Sequence, residues 1–334
     1  MRVSDKPSVL VVGGAGYIGS HMTKYLDDKG VKVTVLDNLS TGHRDLVTAG
    51  EFVEGDLGDQ ELLTRLFDDN QFDVVMHFAA SSLVGESVSD PLKYYTNNVA
   101  RTALLLKAME QHEVKRFIFS STAAVYGEPK QLPITEESNT SPTNPYGATK
   151  LAVERMLKDC DEAFGLKSIC LRYFNACGAD ESATIGERHQ PETHLIPLVL
   201  QVAAGVRESI SIFGNDYPTK DGTCLRDYVH VNDLAQAHYL AMQKLLDGAK
   251  SNVYNLGNSN GYSVKEVIEE VRKVTGKDIA VVDAPRRAGD PAVLVAESDK
   301  ARAELGWQPQ YESLAIMIET AWSWHQHDFS KNTA

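Results

Sequence analysis

The chain has 334 residues, 43% of them hydrophobic and 24% charged, the balance of an ordinary globular protein long enough to build two lobes. A formal net charge of −13 argues against a nucleic-acid or anionic-membrane surface, so neither partner is expected. No apolar run approaches the ~20 residues that span a bilayer, and Met1-Arg2-Val3-Ser4-Asp5-Lys6-Pro7 lacks a signal-peptide core, so a cytoplasmic location is expected.

Val9-Leu10-Val11-Val12 reads as a first buried strand and runs into Gly13-Gly14-Ala15-Gly16-Tyr17-Ile18-Gly19, followed by an amphipathic helix. Glycines let the backbone approach a pyrophosphate, and a helix N-terminus offers oriented amides to it. A second strand, Val31 to Leu36, ends at Asp37. A carboxylate there accepts from both ribose hydroxyls and repels a 2′-phosphate, so NAD is expected rather than NADP. Asn38-Leu39 follows without an arginine clamp, in agreement. After a third strand, Phe52 to Glu54, Asp56 reads equally as an adenine-facing residue and as a turn or N-cap carboxylate.

Further strands are expected at Val74 to Phe78, Phe117 to Phe119 and Ile169 to Leu171, with helices between most of them. Repeated βα units predict a Rossmann-type, doubly wound parallel sheet over residues 1–176. A later segment near 228–250 is expected to return to it. Residues 177–334 are expected to form a smaller, mixed α/β substrate lobe, with helices near 194–205, 233–247, 263–275 and 312–325. Cys160, Cys170, Cys177 and Cys224 show neither metal nor redox spacing; reduced structural thiols and no resident metal are expected.

Past the fifth strand come Ser120, Ser121 and Thr122, at the strand end where open α/β sheets gather ligands. Any of the three hydroxyls could orient a proton there. Farther on, Tyr146 precedes Lys150 by one helical turn, and such a pair shares a helix face. Tyr25/Lys29 and Tyr126/Lys130 repeat the spacing. Pro129 opposes a helix through the latter, and Tyr25 lies two turns beyond the glycine loop, facing away. A tyrosine with a free pKa near 10 is a poor base at neutrality; lowering it by about three units needs on the order of 4 kcal/mol. Lys150 and a positive nicotinamide are expected to share that task.

Together, Gly13/Gly16/Gly19, Thr122 and Tyr146/Lys150 resemble the extended short-chain dehydrogenase/reductase family. Phe213-Gly214-Asn215-Asp216-Tyr217-Pro218, Arg226-Asp227-Tyr228 and Ala284-Pro285-Arg286-Arg287-Ala288-Gly289-Asp290 narrow the resemblance to its UDP-sugar 4-epimerases. The activity so implied is NAD-dependent interconversion of UDP-glucose and UDP-galactose through a transient 4-keto sugar. Thr122, Tyr146 and Lys150 are then the catalytic set. The resemblance assigns the cofactor to Gly13, Gly16, Tyr17, Ile18, Gly19 and Asp37. Asn38, Asp56, Leu57, Phe78, Ala79 and Asn97 join them, as do Lys150 and Tyr173. For substrate it implies Thr122 and Tyr146, with Arg226 and Arg287 on the phosphates, Asp290 on the uridine ribose and Phe213 beside uracil. Asn175 would face the sugar or its phosphate, and Leu195 would give an amide.

Dehydratases of the same family carry an acidic pair where this chain has Ala123-Ala124. Methyl groups move no protons, so the route is expected to stop at the ketone. Three positions depart from the family pattern. Ser82 stands where close relatives place a lysine. His194 replaces an asparagine near the sugar and reads either as a donor to substrate or as a satisfied helix-start histidine. Leu294 occupies the gate on sugar size, which leaves UDP-N-acetylglucosamine or UDP-glucuronate 4-epimerisation as a second reading. A non-catalytic NAD-sensing regulator is the third. The resemblance also implies a homodimer through helices near 91–111 and 145–163.

Overall fold

In the computed structural model, residues 6–129, 131–287 and 291–332 are described. Seven parallel strands form the central sheet: β1 (Ser8–Val12), β2 (Lys32–Asp37), β3 (Glu51–Glu54), β4 (Val74–His77), β5 (Arg116–Ser120), β6 (Lys167–Tyr173) and β7 (Asn252–Leu256). Their spatial order is β7-β6-β5-β4-β1-β2-β3, which reverses direction between β1 and β4. A ligand crevice opens outside the strand ends at such a reversal. In register, Val9 faces Val33 on one side and Val74 on the other.

Strand residues alternate between the two faces of the sheet. Val9 and Val11 pack with Met22, Leu26 and Ala241, whereas Leu10 and Val12 pack with Leu63, Phe67, Leu105 and Leu157. Helix Val231–Leu246 lies against helix Tyr17–Asp28 on the first face, so chain from beyond residue 228 covers the nucleotide half. Trp307 is buried in the same core, and its indole N–H donates to the Asp233 carbonyl at 2.9 Å. Strand β7, which begins at Asn252 and carries Asn255, is the one strand of the central sheet that the sequence did not single out.

Among the described residues, the other strands form three small sheets. Asn175–Cys177 pairs in parallel with Tyr228–His230, and Ile210–Phe213 with Val281–Ala284. Leu225–Arg226 sits between Tyr262–Ser263 and Val293–Leu294. Helices Leu195–Ala203, Val264–Thr275 and Leu314–Asn332 close a separate core built on Val199, Leu200, Val267, Val271 and Ile318. Local signals fix the helix ends. Ser263 and Glu266 form a reciprocal capping box, satisfying two leading amides. Asn144 caps the long helix Pro145–Phe164 by accepting from the Gly147 amide at 2.9 Å.

Candidate active site

The glycine loop is shaped by close approach. Gly13 has a φ of 83°, and a Cβ there would fall 2.5 Å from the Ala79 nitrogen. A Cβ on Gly19 would lie 2.1 Å from the Gly13 carbonyl oxygen, so the helix packs directly on the loop. At Gly16 the nearest atom to a Cβ would be 3.5 Å away. Gly16 is also the N-cap, and it offers no side-chain acceptor; the first turn holds no acid. The leading amides and the positive helix end are therefore left to an external anion. This cradle fits the pyrophosphate of a dinucleotide. Gly19→Ala should weaken NAD binding at least tenfold, about 1.4 kcal/mol or more, and so lower NAD content. Cofactor released by denaturation and quantified by chromatography measures it; wild-type content with an unchanged circular dichroism spectrum would refute it.

Asp37, at the C-terminal end of β2, accepts from the Ala15 amide at 2.9 Å and the Leu39 amide at 2.8 Å. Burial raises its pKa, and those two bonds oppose the rise. Asn38 donates to Asp56 at 2.6 Å, and Asp56 also takes the Gly58 amide at 2.7 Å and the Arg101 guanidinium at 3.0 Å. Arg101 in turn holds the Asn97 side-chain oxygen at 2.9 Å. Asp56 is thus a turn carboxylate, as one reading had it, and lies beside Asn38. Leu57 is buried, as is Tyr173, whose hydroxyl hydrogen-bonds Ser120. Phe78 packs on His238 with ring centroids 4.8 Å apart.

Helix Pro145–Phe164 carries Tyr146 and Lys150 on one face. Lys150 is 3% exposed; its ammonium donates to the Ser120 carbonyl at 2.7 Å and lies 6.0 Å from the Tyr146 ring centroid. Burial lowers its pKa to about 7, against the pull of Glu154. Thr122, an extended residue that caps the turn Ala123–Tyr126, accepts from the Ala124 amide at 3.1 Å. Its hydroxyl hydrogen-bonds the Tyr146 phenol, which favours the phenolate, but burial is the larger influence and raises that pKa. Within the chain itself, burial thus outweighs the Thr122 bond; the sequence reading has Lys150 share the lowering with a positive nicotinamide. The competing pairs serve elsewhere. Lys29 lies over the Tyr25 ring at 5.3 Å, and Tyr126 is buried in a hydrogen-bond chain; Lys130 lies outside the described residues.

Two residues the sequence passed over hold this arrangement. Glu154 continues the Tyr146/Lys150 line by one more turn and accepts from Ser121 at 2.5 Å and from Arg172 at 2.9 and 2.5 Å. Four-residue spacing from Lys150 was the available signal; the partner on β6 was not legible locally.

Asn175 donates to the Asp227 carbonyl at 2.8 Å. Asn175, His194, Leu195 and Tyr228 line one cavity. His194 caps helix Leu195–Ala203, and its Nδ1 lies 2.7 Å from Glu187 and 3.1 Å from Glu192. Burial disfavours its cation, but the two carboxylates carry its pKa up to about 10. Arg287 stacks on the Phe213 ring at 3.9 Å. Arg226 pairs in register with Leu294, which packs against the cluster of Ala123, Val125 and Tyr126 beside Thr122. Asp290 lies outside the described residues. Ser82 is exposed.

The likenesses to known proteins are extensive. A UDP-glucose 4-epimerase of Halalkalibacterium halodurans is 57% identical over 319 residues, 96% of each chain. One of Lacticaseibacillus casei is 52% identical over 96% of this chain and 97% of its own. Among solved structures, UDP-glucose 4-epimerase from Brucella ovis in complex with NAD superposes with a TM-score of 0.93 at 48% identity, covering 95% of this chain and 97% of that one. The enzyme from Bifidobacterium longum, in complex with NAD+ and UDP, gives 0.90 at 41% identity, covering 96% and 98%. The profile of one family, described as NAD dependent epimerase/dehydratase, matches residues 9–257, from the first strand of the sheet to the end of its last. The chain belongs to the NAD dependent epimerase/dehydratase family.

Proposed function

We propose that this chain is an NAD-dependent 4-epimerase, an isomerase that interconverts UDP-glucose and UDP-galactose through a transient 4-keto sugar. The observation that carries the reading is a site with one proton-transfer set, Tyr146 hydrogen-bonded by Thr122 one turn from buried Lys150, followed by Ala123-Ala124. It can oxidise and reduce at C4 but has no acid and base for eliminating water.

In this reading the amides at the start of helix Tyr17–Asp28 hold the NAD pyrophosphate, and Asp37 takes the adenosine ribose. Bound NAD supplies a positively charged hydride acceptor that can give the hydride back to either face of the C4 ketone. The chain's own part is the proton. The Ala124 amide donates to the Thr122 oxygen, which turns the Thr122 hydroxyl toward the Tyr146 oxygen and readies the phenol to accept from the sugar. Lys150 adds positive charge from the next turn. Arg226 and Arg287 hold the diphosphate, with the Leu195 amide and Asn175 near it, Phe213 beside uracil and Asp290 on the ribose. Affinity placed on the nucleotide leaves the keto-hexose free to turn over.

The proposal extends to a cytoplasmic homodimer. Among the described residues no helix is long and apolar enough to cross a membrane. Leu92 and Val88, 76% and 65% exposed, lie on the short helices packed against Pro145–Phe164 and give that face an apolar surface.

The test is an NMR time course of the purified protein with UDP-galactose and no added NAD. Growth of the UDP-glucose anomeric signal supports 4-epimerisation with retained cofactor. No change after NAD is added overturns the reading, and parallel runs with UDP-N-acetylglucosamine and UDP-glucuronate show which sugar replaces it.

A further inference from the structure

One loop, between strand Asn175–Cys177 and helix Leu195–Ala203, brings four side chains to a common centre: Glu187, His189, Glu192 and His194. One donor atom from each lies within 4.8 Å of all the others. His194 Nδ1 is 2.7 Å from Glu187 Oε1 and 3.1 Å from Glu192 Oε1. His189 Nδ1 is 3.1 Å from Glu187 Oε1 and 3.6 Å from Glu192 Oε2. Each imidazole therefore directs the same nitrogen at both carboxylates. Two separate ion pairs would need only one carboxylate per ring, because Nδ1 carries a single hydrogen. Ligands about 2.0–2.2 Å from a tetrahedral ion stand roughly 3.3–3.6 Å apart, and the observed separations of 2.7 to 3.6 Å approach that spacing from below.

We propose that Glu187, His189, Glu192 and His194 form a binding site for one divalent transition-metal cation of the zinc class.

The surroundings favour a cation. The Glu187 and Glu192 side chains are only 5% and 6% exposed, and two buried carboxylates side by side need positive charge beside them, which the imidazoles supply when protonated and a bound cation supplies when they are neutral. Among the described residues, no lysine or arginine pairs with either one. The imidazoles, 29% and 42% exposed, leave an entry path from solvent. Two nitrogens with two oxygens suit zinc, cobalt or nickel better than magnesium or calcium, which prefer oxygen alone. Four protein ligands fill a tetrahedron, so the site is structural and takes no part in the sugar chemistry.

Its position gives it a purpose. The Trp324 indole donates to the Glu187 carbonyl at 2.9 Å, and the His189 ring stands edge-on to Tyr17 with centroids 6.3 Å apart. Tyr17 opens the glycine-loop helix, and His194 opens the helix that begins with Leu195. One ion would tie the loop to both, joining the nucleotide half to the wall that carries Leu195.

The test uses the full-length protein with its cofactor, treated with chelator and dialysed. Zinc is titrated against a chromophoric chelator, and cobalt(II) is added separately for its spectrum. Expected are one ion per chain, the visible bands of four-coordinate cobalt without near-ultraviolet thiolate bands, and a zinc-dependent rise in melting temperature. His189→Ala should weaken binding at least about 100-fold and abolish the rise. Glu192→Gln serves as the second variant and should do the same if His189→Ala does not fold. Cys160→Ser should bind as wild type. No stoichiometric binding at micromolar zinc, thiolate bands with cobalt, or unchanged affinity in a folded ligand variant would each overturn the proposal.

Discussion

Tyr146→Phe is expected to lower kcat by about 10³-fold, within the range that one positioned acid–base group contributes, while the protein stays folded and keeps its NAD. The phenol oxygen is the only atom lost. The ring stays where it is, on a helix fixed by its Asn144 cap and by Lys150, whose bond to the Ser120 carbonyl does not involve the phenol. Thr122 keeps its other bond, from the Ala124 amide. What disappears is the group that takes the proton of the sugar hydroxyl in the proposed reaction. Within the protein, burial raises the phenol's pKa and Thr122 only partly offsets it. The remaining stabilisation of the phenolate must come from positive charge delivered on binding, so a titration of the tyrosine should shift downward when NAD occupies the site. Kinetics with UDP-galactose, together with NAD content per chain, measure the effect. Turnover within threefold of wild type would remove Tyr146 from the role of base.

How much of this was legible beforehand depended on range along the chain. The first strand, the glycine loop and Asp37 lie within one βα unit and its successor, so local pattern and chemistry agree there. The Rossmann-type sheet followed from six apolar runs, each matched by a strand whose ends shift by one or two residues. The seventh strand hid behind Asn255. That asparagine is fully buried because its amide donates to the Ile134 carbonyl and its oxygen accepts from the Tyr126 hydroxyl, partners more than 100 positions away. A polar residue satisfied at such distance breaks the apolar run without breaking the strand. His194 shows the same limit at short range. Its sequence neighbours Glu187, His189 and Glu192 sit in an irregular loop with no helical or strand period, so their convergence could not be read from spacing.

Glu154→Gln carries the second large effect, about 3 kcal/mol of stability, at the lower end of what breaking a buried ion pair costs because the amide keeps one acceptor oxygen. Both side chains of the Glu154–Arg172 pair are 7% exposed. Arg172 cannot shed its proton, so removal of the carboxylate charge leaves a buried guanidinium with no counter-ion. Its other partner is the Tyr126 hydroxyl at 2.9 Å, itself donating to Asn255 at 2.6 Å, so strain at Arg172 reaches β7. Urea denaturation measures the loss. Removing both charges, as Glu154→Gln with Arg172→Met, should recover most of it, since the penalty belongs to the orphaned charge. A second readout separates positioning from packing. Glu154 opposes the burial that lowers the pKa of Lys150 to about 7. Without that carboxylate the ammonium deprotonates at lower pH, so a rate that needs the cation falls away earlier as pH rises. The alkaline limb of kcat should therefore move to lower pH in the single variant and stay moved in the double variant, although stability returns. If the limb recovers together with stability, Glu154 acts on the fold alone and not through Lys150.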